Sequence, residues 1–290
     1  MNVRAAIVLL SVALFGVSCG STRSGSDLHP WGLSYRLKTF TTPRPNRAHI
    51  LTVDLAAGKA EPAVVVAPDP DGDGPAEAAL TNPFALATGM PVLAFINTNP
   101  WDGFPDATGK PDRHWRGGQK VNITGLAMSN RVVRSPAEIT GSVCFTADRR
   151  VFIGGPTNGI DAIDGVGGWQ PILKNGDVIV KPEKNLNLAP RTAIGTDQTG
   201  TRLWLVVVDG RQPGYSEGMS VSELGTLMKE LGCWEAANMD GGGSSIMALA
   251  GADGALHYVN SPSDRFLGVT LVRPLPMILT IRKKPALVKY

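Results

Sequence analysis

The chain has 290 residues, of which 18% are charged and 6% are aromatic, and its formal net charge is only +3. This length suits one large domain behind an export segment, and the nearly balanced charge gives no electrostatic basis for binding nucleic acid. The sequence shows no internal repeat and no low-complexity tract. Composition therefore indicates a single compact domain.

The N-terminus resembles an export signal. Arg4 precedes an apolar run at 5–17, which is too short for a confident spanning helix and is typical of a signal peptide. A Ser-rich stretch follows. We therefore predict a signal peptide over 1–19 and a spacer over 20–44, with export to the bacterial periplasm or cell envelope.

Cys19 follows a small residue at the end of this segment and resembles the lipidated cysteine of a bacterial lipoprotein. Gly16 stands where that pattern prefers leucine, so ordinary secretion with cleavage nearby is the alternative. A lipid on Cys19 is the only membrane contact that we predict.

An acidic turn, DPDGDG, places Asp69, Asp71 and Asp73 at alternate positions, as in the opening of a calcium-binding EF-hand loop. The twelfth position of that pattern requires a bidentate glutamate, but Leu80 stands there. These aspartates are thus weak candidates for calcium, the one metal considered, and a surface turn is the favoured interpretation. No other cofactor is predicted.

A polar insert follows the apolar strand that ends at Asn97. A solvated loop is one interpretation of it. The other is a loop that grips carbohydrate, because the insert is rich in polar and aromatic side chains: Asp102, Asp106, Asp112, Arg113, His114 and Trp115.

Two cysteines, Cys144 and Cys233, remain beyond the predicted signal peptide. They could pair in an oxidising compartment, or each could be a small core residue, since both lie beside apolar residues. The chain has no CxxC spacing, and its histidines are scattered, so a zinc site is not predicted.

The most informative block lies between 190 and 245. Leu203–Val208 is a continuous apolar run that predicts a strand buried on both faces, and Asp209 follows it. A second short strand, Trp234–Met239, ends at Asp240. If these strands are parallel, both aspartates lie at the same edge of a sheet. A simple turn is the alternative for Asp209.

The crossover between these strands is predicted to be an amphipathic helix. Ser220 and Glu223 form a capping box, and Gly232 stands where a C-terminal cap belongs. Leu224, Leu227, Met228 and Leu231 follow at helical spacing.

Three consecutive glycines follow Asp240. Such a run loses much backbone entropy on folding, so it usually marks a bend or a close approach of the backbone to another group. Amide groups in such a loop can bind an anion, and serine hydroxyls add donors. The residues in question are Gly241, Gly242, Gly243, Ser244 and Ser245.

Four segments of this block resemble the core of the phosphodiester glycosidase family: PRTAIG, VVVDGRQ, GMSVSELGTLMKELG and NMDGGGSS. Looser similarity covers most of 48–272, through HILTVDL, VLAFIN, ITGLAMSNRVV, WQPILKNGDV and NSPSDRFLGV. The chain departs from the family after Asn97, where Thr98–Trp101 replace a glycine or alanine pair and an aromatic residue. The long insert that follows makes the family's substrate a poor guide to this chain's own.

The resemblance implies an exported hydrolase that cleaves the bond between the anomeric carbon of a sugar and a phosphodiester oxygen. Such a reaction passes through an oxocarbenium-like transition state, which needs a carboxylate at the sugar and donors at the phosphate. We assign the carboxylates to Asp240 and Asp209, Asp240 being the firmer choice. The phosphate is assigned to Arg191, Gly241, Gly242, Gly243 and Ser244.

The sugar itself is assigned to three further residues. Asn97 would hold a hydroxyl group, and Trp101 or Trp169 would pack on the ring face. Arg191 has an alternative, structural role, in which it pairs with a buried carboxylate. We predict a carbohydrate or phosphoglycan as the partner.

For the fold, we expect a single mixed α/β or α+β domain over 45–275, rich in strands around a central sheet and poor in helices. A basic extension is expected over 276–290. Two other functions remain open. One is a non-catalytic, exported module that binds glycans or cell wall, and the other is a metal-dependent phosphodiesterase that cleaves the P–O bond.

Overall fold

The structure, a computed structural model, describes residues 28–284 except 106–107, 111, 113, 138–140, 156–159 and 185. The predicted signal peptide, Cys19, Asp106 and Arg113 lie outside the described residues. The described part is rich in strands and contains two α-helices, α1 (Pro83–Leu86) and α2 (Val221–Glu230). The prediction of a mixed, strand-rich fold with few helices is confirmed.

The strands of the first half are β1 (Leu33–Phe40), β2 (Asn46–Asp54), β3 (Ala60–Val66), β4 (Ala78–Ala79), β5 (Val92–Asn97), β6 (Trp101–Gly103), β7 (Lys120–Ile123), β8 (Ala127–Ser129), β9 (Val132–Ser135), β10 (Val143–Thr146) and β11 (Val151–Ile153). Those of the second half are β12 (Ala162–Val166), β13 (Gln170–Lys174), β14 (Asp177–Val178), β15 (Arg191–Thr196), β16 (Arg202–Val208), β17 (Glu235–Asn238), β18 (Met247–Ala250), β19 (Leu256–Tyr258), β20 (Arg265–Phe266), β21 (Val269–Thr270) and β22 (Met277–Lys283).

The largest sheet has the strand order β1-β2-β16-β15-β17-β13-β14. β15 pairs antiparallel with both β16 and β17, so these two strands run in the same direction, as predicted, but with β15 between them. Asp209 and Asp240 therefore follow strands that end at the same edge of this sheet.

The two faces of this sheet pack into different cores. Leu205 and Val207 of β16 belong to the main core, which extends to the sheet with strand order β19-β18-β5-β22-β3. Val206 and Val208 face the other way and pack with Leu224 and the rest of the apolar face of α2. The predicted two-sided burial of this strand is confirmed. The alternating side chains of a strand explain it.

Helix α2 begins and ends as the sequence predicts. The Ser220 hydroxyl accepts from the Glu223 amide, and the Glu223 carboxylate accepts from the Ser220 amide, which completes the capping box. Gly232 has a φ of 88°, the left-handed conformation that a C-terminal glycine adopts without strain.

The folded region extends beyond 45–275 at both ends. β1 lies in the segment predicted as a spacer, and it pairs with β2 along its whole length. β22 lies in the segment predicted as an extension, yet it is an interior strand between β5 and β3. Its apolar residues, Met277–Ile281, are buried, with Thr280 among them, and only the basic residues that follow reach the surface.

Cys144 and Cys233 are both buried free thiols. Cys233 packs beneath α2, whereas Cys144 packs in a small separate cluster with Leu126 and Met128. Burial raises the pKa of the Cys144 thiol to about 11 and raises that of Cys233 as well. Both therefore serve as small core residues in this structure.

Candidate active site

Asp240 is held from both sides by the end of strand β5. The Asn97 side chain donates to the carbonyl oxygen of Asp240 at 2.8 Å, and the Asp240 amide donates to the carbonyl oxygen of Thr98 at 2.8 Å. The oxygen of the Asn97 amide accepts from the Thr192 hydroxyl and from the Ile246 amide, at 2.8 and 3.1 Å. Asn97 is thus fully engaged beneath the loop that carries Asp240.

The glycines after Asp240 allow close approach of other groups. A Cβ at Gly241 would lie 2.7 Å from the carbonyl oxygen of Pro190, and one at Gly243 would collide with the side chains of Asp264 and Arg273. Gly242 has a φ of 62° and donates its amide to Pro190 at 2.9 Å. The predicted close approach is therefore present, although the Gly242 amide is already used within the protein.

A cavity of about 430 Å³ opens in front of Asp240. Its wall brings together two tryptophans, three carboxylates and one arginine. The lining residues are Pro100, Trp101, Asp102, Gly103, Asp112, Trp169, Asp240 and Arg273.

Both tryptophans that the sequence analysis proposed for sugar binding line this cavity. Trp169 is 51% exposed, which is unusual for so large an apolar side chain, and its amide donates to Asn238 at 2.8 Å. Trp101 is only partly exposed and begins β6. The aromatic surface that a sugar ring needs is thus present beside Asp240.

Arg273 is a lining residue that the sequence analysis missed. It donates from Nε and Nη2 to one oxygen of Asp264, at 3.0 and 2.7 Å, and its guanidinium carbon lies 5.1 Å from the centre of the Trp115 ring. The hairpin β20–β21 connects Asp264 with Arg273, and the Leu271 amide donates to the Asp264 carbonyl at 2.8 Å. Both the ion pair and the stacking fix the guanidinium at the cavity wall.

Burial raises the pKa of Asp240 to about 6. Four groups act in the opposite direction and favour the charged form: the Ser244 hydroxyl, the Gly241 amide, the Arg273 guanidinium and the Trp169 indole. A carboxyl group with a pKa near neutrality can change its protonation state during a reaction.

Three residues that adjoin Asp240 carry buried polar atoms with no partner among the described residues: Thr98 accepts from the Asp240 amide through its main chain, and Asn238 and Ser244 lie within four positions of Asp240 in the chain. The unpartnered atoms are the hydroxyl oxygens of Thr98 and Ser244 and the side-chain carbonyl oxygen of Asn238. All three are buried, and no group in the described part of the chain forms a hydrogen bond with them. Ser244 is close enough to lower the pKa of Asp240 but lies outside ideal geometry for that bond. Such atoms are costly unless a water or a substrate satisfies them.

Asp112 is a second carboxylate of the cavity, and its surroundings lower its pKa, whereas burial raises that of Asp240. Hydrogen bonds from the backbone and side chain of His114 lower its pKa, with distances of 3.0 Å to the amide and 2.9 Å to Nδ1. Arg116 lies 3.2 Å from its other oxygen. His114, which the sequence analysis placed in the insert, is thus an exposed partner of this carboxylate.

Asp209 lies outside this cavity and is completely buried. One oxygen accepts from the Ser261 amide at 2.8 Å and from the Asn260 side chain at 3.2 Å. The other lies 3.1 Å from Nε2 of His49. Asn260 also donates to the carbonyl oxygen of Ser245, so Asp209 braces the far end of the glycine loop.

Arg191 is also turned into the protein. Its guanidinium donates to the carbonyl oxygens of Met219 and Asn187, at 2.8 and 2.6 Å, and burial lowers its pKa. It ties the start of β15 to the segment just before β15 and to the segment just before α2, but it does not line the cavity. The partners are main-chain oxygens rather than the buried carboxylate considered as its structural alternative.

The acidic turn at 69–73 is tied to cations of the protein. Asp69 accepts from the amides of Asp71 and Gly72 and pairs with Arg134 at 2.7 Å, while Asp71 pairs with Lys120 at 3.4 Å. Within the residues that the structure describes, no group of three or more His, Cys, Asp or Glu side chains is arranged to hold a metal ion.

Comparison with known proteins assigns this chain to a family. A model of the phosphodiester glycosidase family matches residues 106–282, well over half of the chain. The chain therefore belongs to the phosphodiester glycosidase family. A search of curated proteins gives no match.

Solved structures support the fold. The chain is similar to the catalytic domain of zebrafish N-acetylglucosamine-1-phosphodiester alpha-N-acetylglucosaminidase, described as auto-inhibited by its pro-peptide, with 18% identity and a TM-score of 0.63 over 93% of this chain and 88% of that one. It is also similar to a hypothetical protein from Synechocystis, with 14% identity, a TM-score of 0.58, and coverage of 87% and 62%.

A protein from Burkholderia pseudomallei, described as exported, shares 15% identity with this chain at a TM-score of 0.55, with coverage of 84% and 75%. At these identities the similarity concerns the fold. Among the described residues, no helix is long and apolar enough to cross a membrane.

Proposed function

We propose that this protein is an exported hydrolase that cleaves the glycosidic bond of a sugar-1-phosphodiester. The observation that carries the proposal is the position of Asp240, a carboxylate whose pKa is near neutrality, in one cavity with Arg273 and two tryptophans. Family membership supports glycosidase chemistry.

The substrate would lie with its sugar ring against Trp169 and Trp101, and with its phosphate toward Arg273. The guanidinium is held by Asp264 and Trp115, so little conformational entropy is lost when it meets the phosphate. Gly243 supports this arrangement because the absence of a side chain leaves room for the Asp264–Arg273 pair.

In the reaction, the bond between the anomeric carbon and the phosphodiester oxygen breaks. The oxygen and its electron pair leave with the phosphate, and water supplies the new hydroxyl of the sugar. Ionised Asp240 acts at the anomeric carbon, either directly or by taking a proton from that water, and Asp112 or Asp102 supplies the second carboxylate. A phosphate leaving group requires little help from an acid.

The other residues predicted from the sequence would support this site rather than contact substrate. Asn97 and Asp209 would hold the two ends of the loop that follows β17, and Arg191 would hold β15. Export, with or without a lipid on Cys19, completes the proposal and follows from the N-terminal sequence pattern.

The proposal is tested with the variant Asp240→Asn and a defined substrate, the methyl diester of N-acetylglucosamine-1-phosphate. We expect kcat to fall by about 10³-fold or more while the fold is retained. Asp177→Asn is the matched control, because Asp177 is exposed and lies at the end of β13–β14. Near-normal turnover by Asp240→Asn would remove this carboxylate from the mechanism.

A non-catalytic glycan-binding protein is the competing function. Such a protein would bind the same diester without hydrolysing it. The variant Asp240→Asn would then change only the affinity for the diester, because the wild-type protein has no hydrolytic activity. Measurement of binding and product release on the same samples separates these two functions.

A further inference from the structure

A cluster of basic residues lies at the end of the molecule that is farthest from Asp240. Arg282 pairs with Val92 at the start of β5. Asn97, which holds Asp240, is the last residue of that strand. The cluster and the catalytic cavity therefore lie at opposite ends of β5. We call this cluster the basic end, and its members are Lys59, Arg149, Arg282, Lys283 and Lys284.

The basic end is assembled from three segments that are distant in the sequence. The Lys284 amide donates to the Lys59 carbonyl at 3.0 Å. The Arg149 guanidinium lies against Gly58, where an added Cβ would collide with it. Arg149 also lines a cavity of about 440 Å³ together with Arg282. The cations are thus brought to one place by the fold rather than by their order in the chain.

Most of this positive charge is not neutralised within the protein. In the part of the chain that the structure describes, no member of the basic end forms an ion pair with a carboxylate. Glu61 pairs in register with Arg282, and Asp164 lines the same cavity, so these carboxylates offset Arg282. Asp148 is already paired with Arg150, at 3.3 Å. The charges that remain are those of Lys59, Arg149, Lys283 and Lys284.

Trp31 adds a partly exposed aromatic residue to this end. It closes the short 3-10 helix His29–Trp31, and Nζ of Lys283 lies 5.2 Å from the centre of its ring. Tryptophan and lysine are residues that lie at the boundary between water and a bilayer, where one part of the side chain is apolar and the other polar. Trp31 also follows the N-terminal segment in which a lipid on Cys19 is predicted, so such an anchor would join the domain at this end.

Anionic phospholipids are the partner that this chemistry fits. Each lysine or arginine near an anionic bilayer contributes about fivefold to the affinity. A single lipid chain gives only marginal binding, and a basic surface is a common second signal that makes it stable. A nucleic acid is the other frequent partner of basic surfaces, but the net charge of the whole chain, only +3, does not favour it.

We infer that the basic end docks on a membrane that contains anionic phospholipids and directs the catalytic cavity away from the bilayer. β5 has six residues, so it separates the two ends by about 20 Å. The cavity would then face substrates that lie outside the membrane. This inference goes beyond the proposed reaction and does not depend on it.

The test measures binding of the full chain to vesicles of phosphatidylcholine, with and without phosphatidylglycerol, by flotation. The ratio of the two affinities isolates the effect of lipid charge, because the apolar N-terminal segment is the same in every protein compared. The variant carries Lys59→Gln and Lys283→Gln, at two exposed positions of the basic end.

A matched control removes the same charge elsewhere. It carries Lys181→Gln and Lys184→Gln, which are also exposed. These positions flank Glu183, whose carboxylate accepts from the Val221 amide at the start of α2. They therefore lie apart from the basic end.

We expect wild-type protein and the control to prefer vesicles with phosphatidylglycerol by more than tenfold at about 0.1 M salt, and to lose this preference at about 1 M salt. The variant Lys59→Gln, Lys283→Gln should lose at least tenfold of it, because two lysines contribute about 25-fold.

Two results would overturn the inference. One is a wild-type protein that binds both kinds of vesicle equally, and the other is a variant that loses less than tenfold or no more than the control. Lysine-dependent binding to soluble dextran sulfate, without a preference for phosphatidylglycerol, would assign the basic end to an anionic polymer instead. No arm of the test requires hydrolysis of a phosphodiester, so its outcome is independent of the proposed function.

Discussion

The side-chain amide of Asn97 donates to the main-chain carbonyl of Asp240, with 2.8 Å between Nδ2 and O. The end of strand β5 thus holds the residue on which the proposed chemistry depends. The same amide group also accepts from Thr192 and Ile246, so three segments of the chain meet at one buried side chain.

Asn97→Ala should therefore destabilise the protein by about 2–4 kcal/mol and lower kcat, because three buried partners lose their hydrogen bonds. Urea unfolding measures the free energy of unfolding, and Asn122→Ala, on the exposed face of β7, is the control with an expected change of about 0.5 kcal/mol or less. Equal stabilities of the two variants would contradict a positioning role for Asn97.

Asp240 should make stability depend on pH. Burial raises its pKa to about 6, so the folded state favours the protonated form. The protonated carboxyl group contributes its full stabilisation below about pH 4, the ordinary pKa of an aspartate. As the pH rises from 4 through about 6, the free energy of unfolding should fall by about 3 kcal/mol at most, because the folded state resists ionisation. Asp240→Asn should thus be more stable than wild type at pH 7.5.

This difference in unfolding free energy between Asp240→Asn and wild type should shrink toward pH 4, where both side chains are neutral. Urea titrations at several pH values measure it. A difference that stays constant from pH 4 to pH 7.5 would mean that the carboxyl group titrates normally.

The same carboxyl group should control the rate. If ionised Asp240 acts at the anomeric carbon, kcat/KM should fall about tenfold per pH unit below pH 6, since the phosphodiester remains ionised throughout. Steady-state kinetics between pH 4.5 and 8.5 measure this limb. A rate that instead rises as pH falls through 6 would assign Asp240 as a general acid.

Arg273 should contribute to phosphate binding. Arg273→Ala should lower kcat/KM about 100-fold, and Arg273→Lys should recover only part of it, because lysine lacks the planar fork that meets both Asp264 and a phosphate. Arg36→Ala, on the exposed face of β1, is the control.

Loss of Arg273 also leaves Asp264 without its partner, which costs stability. The double variant Arg273→Ala, Asp264→Asn should regain that stability but not the activity. Recovery of activity in the double variant would show that Arg273 stabilises the fold but does not bind the phosphate.

Gly243 should tolerate no side chain. Gly243→Ala places a methyl group against both Asp264 and Arg273, so it should displace the pair and lower kcat/KM by about tenfold or more. Gly155→Ala is the matched control, because the nearest atom to its added Cβ is 3.9 Å away. Equal activity of both variants would show that the exact placement of the pair is unimportant.

The features that the sequence predicted well are local in the chain. The two-sided burial of Leu203–Val208 and the capping box of Ser220 and Glu223 follow from residues a few positions apart. The choice of Asp240 as a site residue has the same local basis, a strand end followed by three glycines, and it stays a prediction.

The features that it missed depend on distant contacts. Asp209 and Arg191 lie at strand ends, as expected, but they are buried by polar groups from distant parts of the sequence. Asn260 donates to Asp209, and the Met219 carbonyl accepts from Arg191. Arg273 reaches the cavity only because a hairpin returns it to Asp264 and Trp115. No spacing in the sequence indicates such a contact.

Strand β22 illustrates the same limit for the fold. Its apolar core of Met277–Ile281 is short and runs into basic residues, so the sequence favoured an exposed end. Pairing with β5 and β3 buries it instead, through a register that joins residues more than half the chain apart.

The proposed reaction breaks the bond from the anomeric carbon to oxygen and leaves the P–O bonds intact. Hydrolysis of the methyl diester of N-acetylglucosamine-1-phosphate in oxygen-18 water, with and without EDTA, tests it most directly by mass spectrometry of both products. Cleavage of the bond from the anomeric carbon to oxygen should place the label in the sugar and none in the phosphate, with or without EDTA. Label in the phosphate would contradict it and identify a phosphodiesterase.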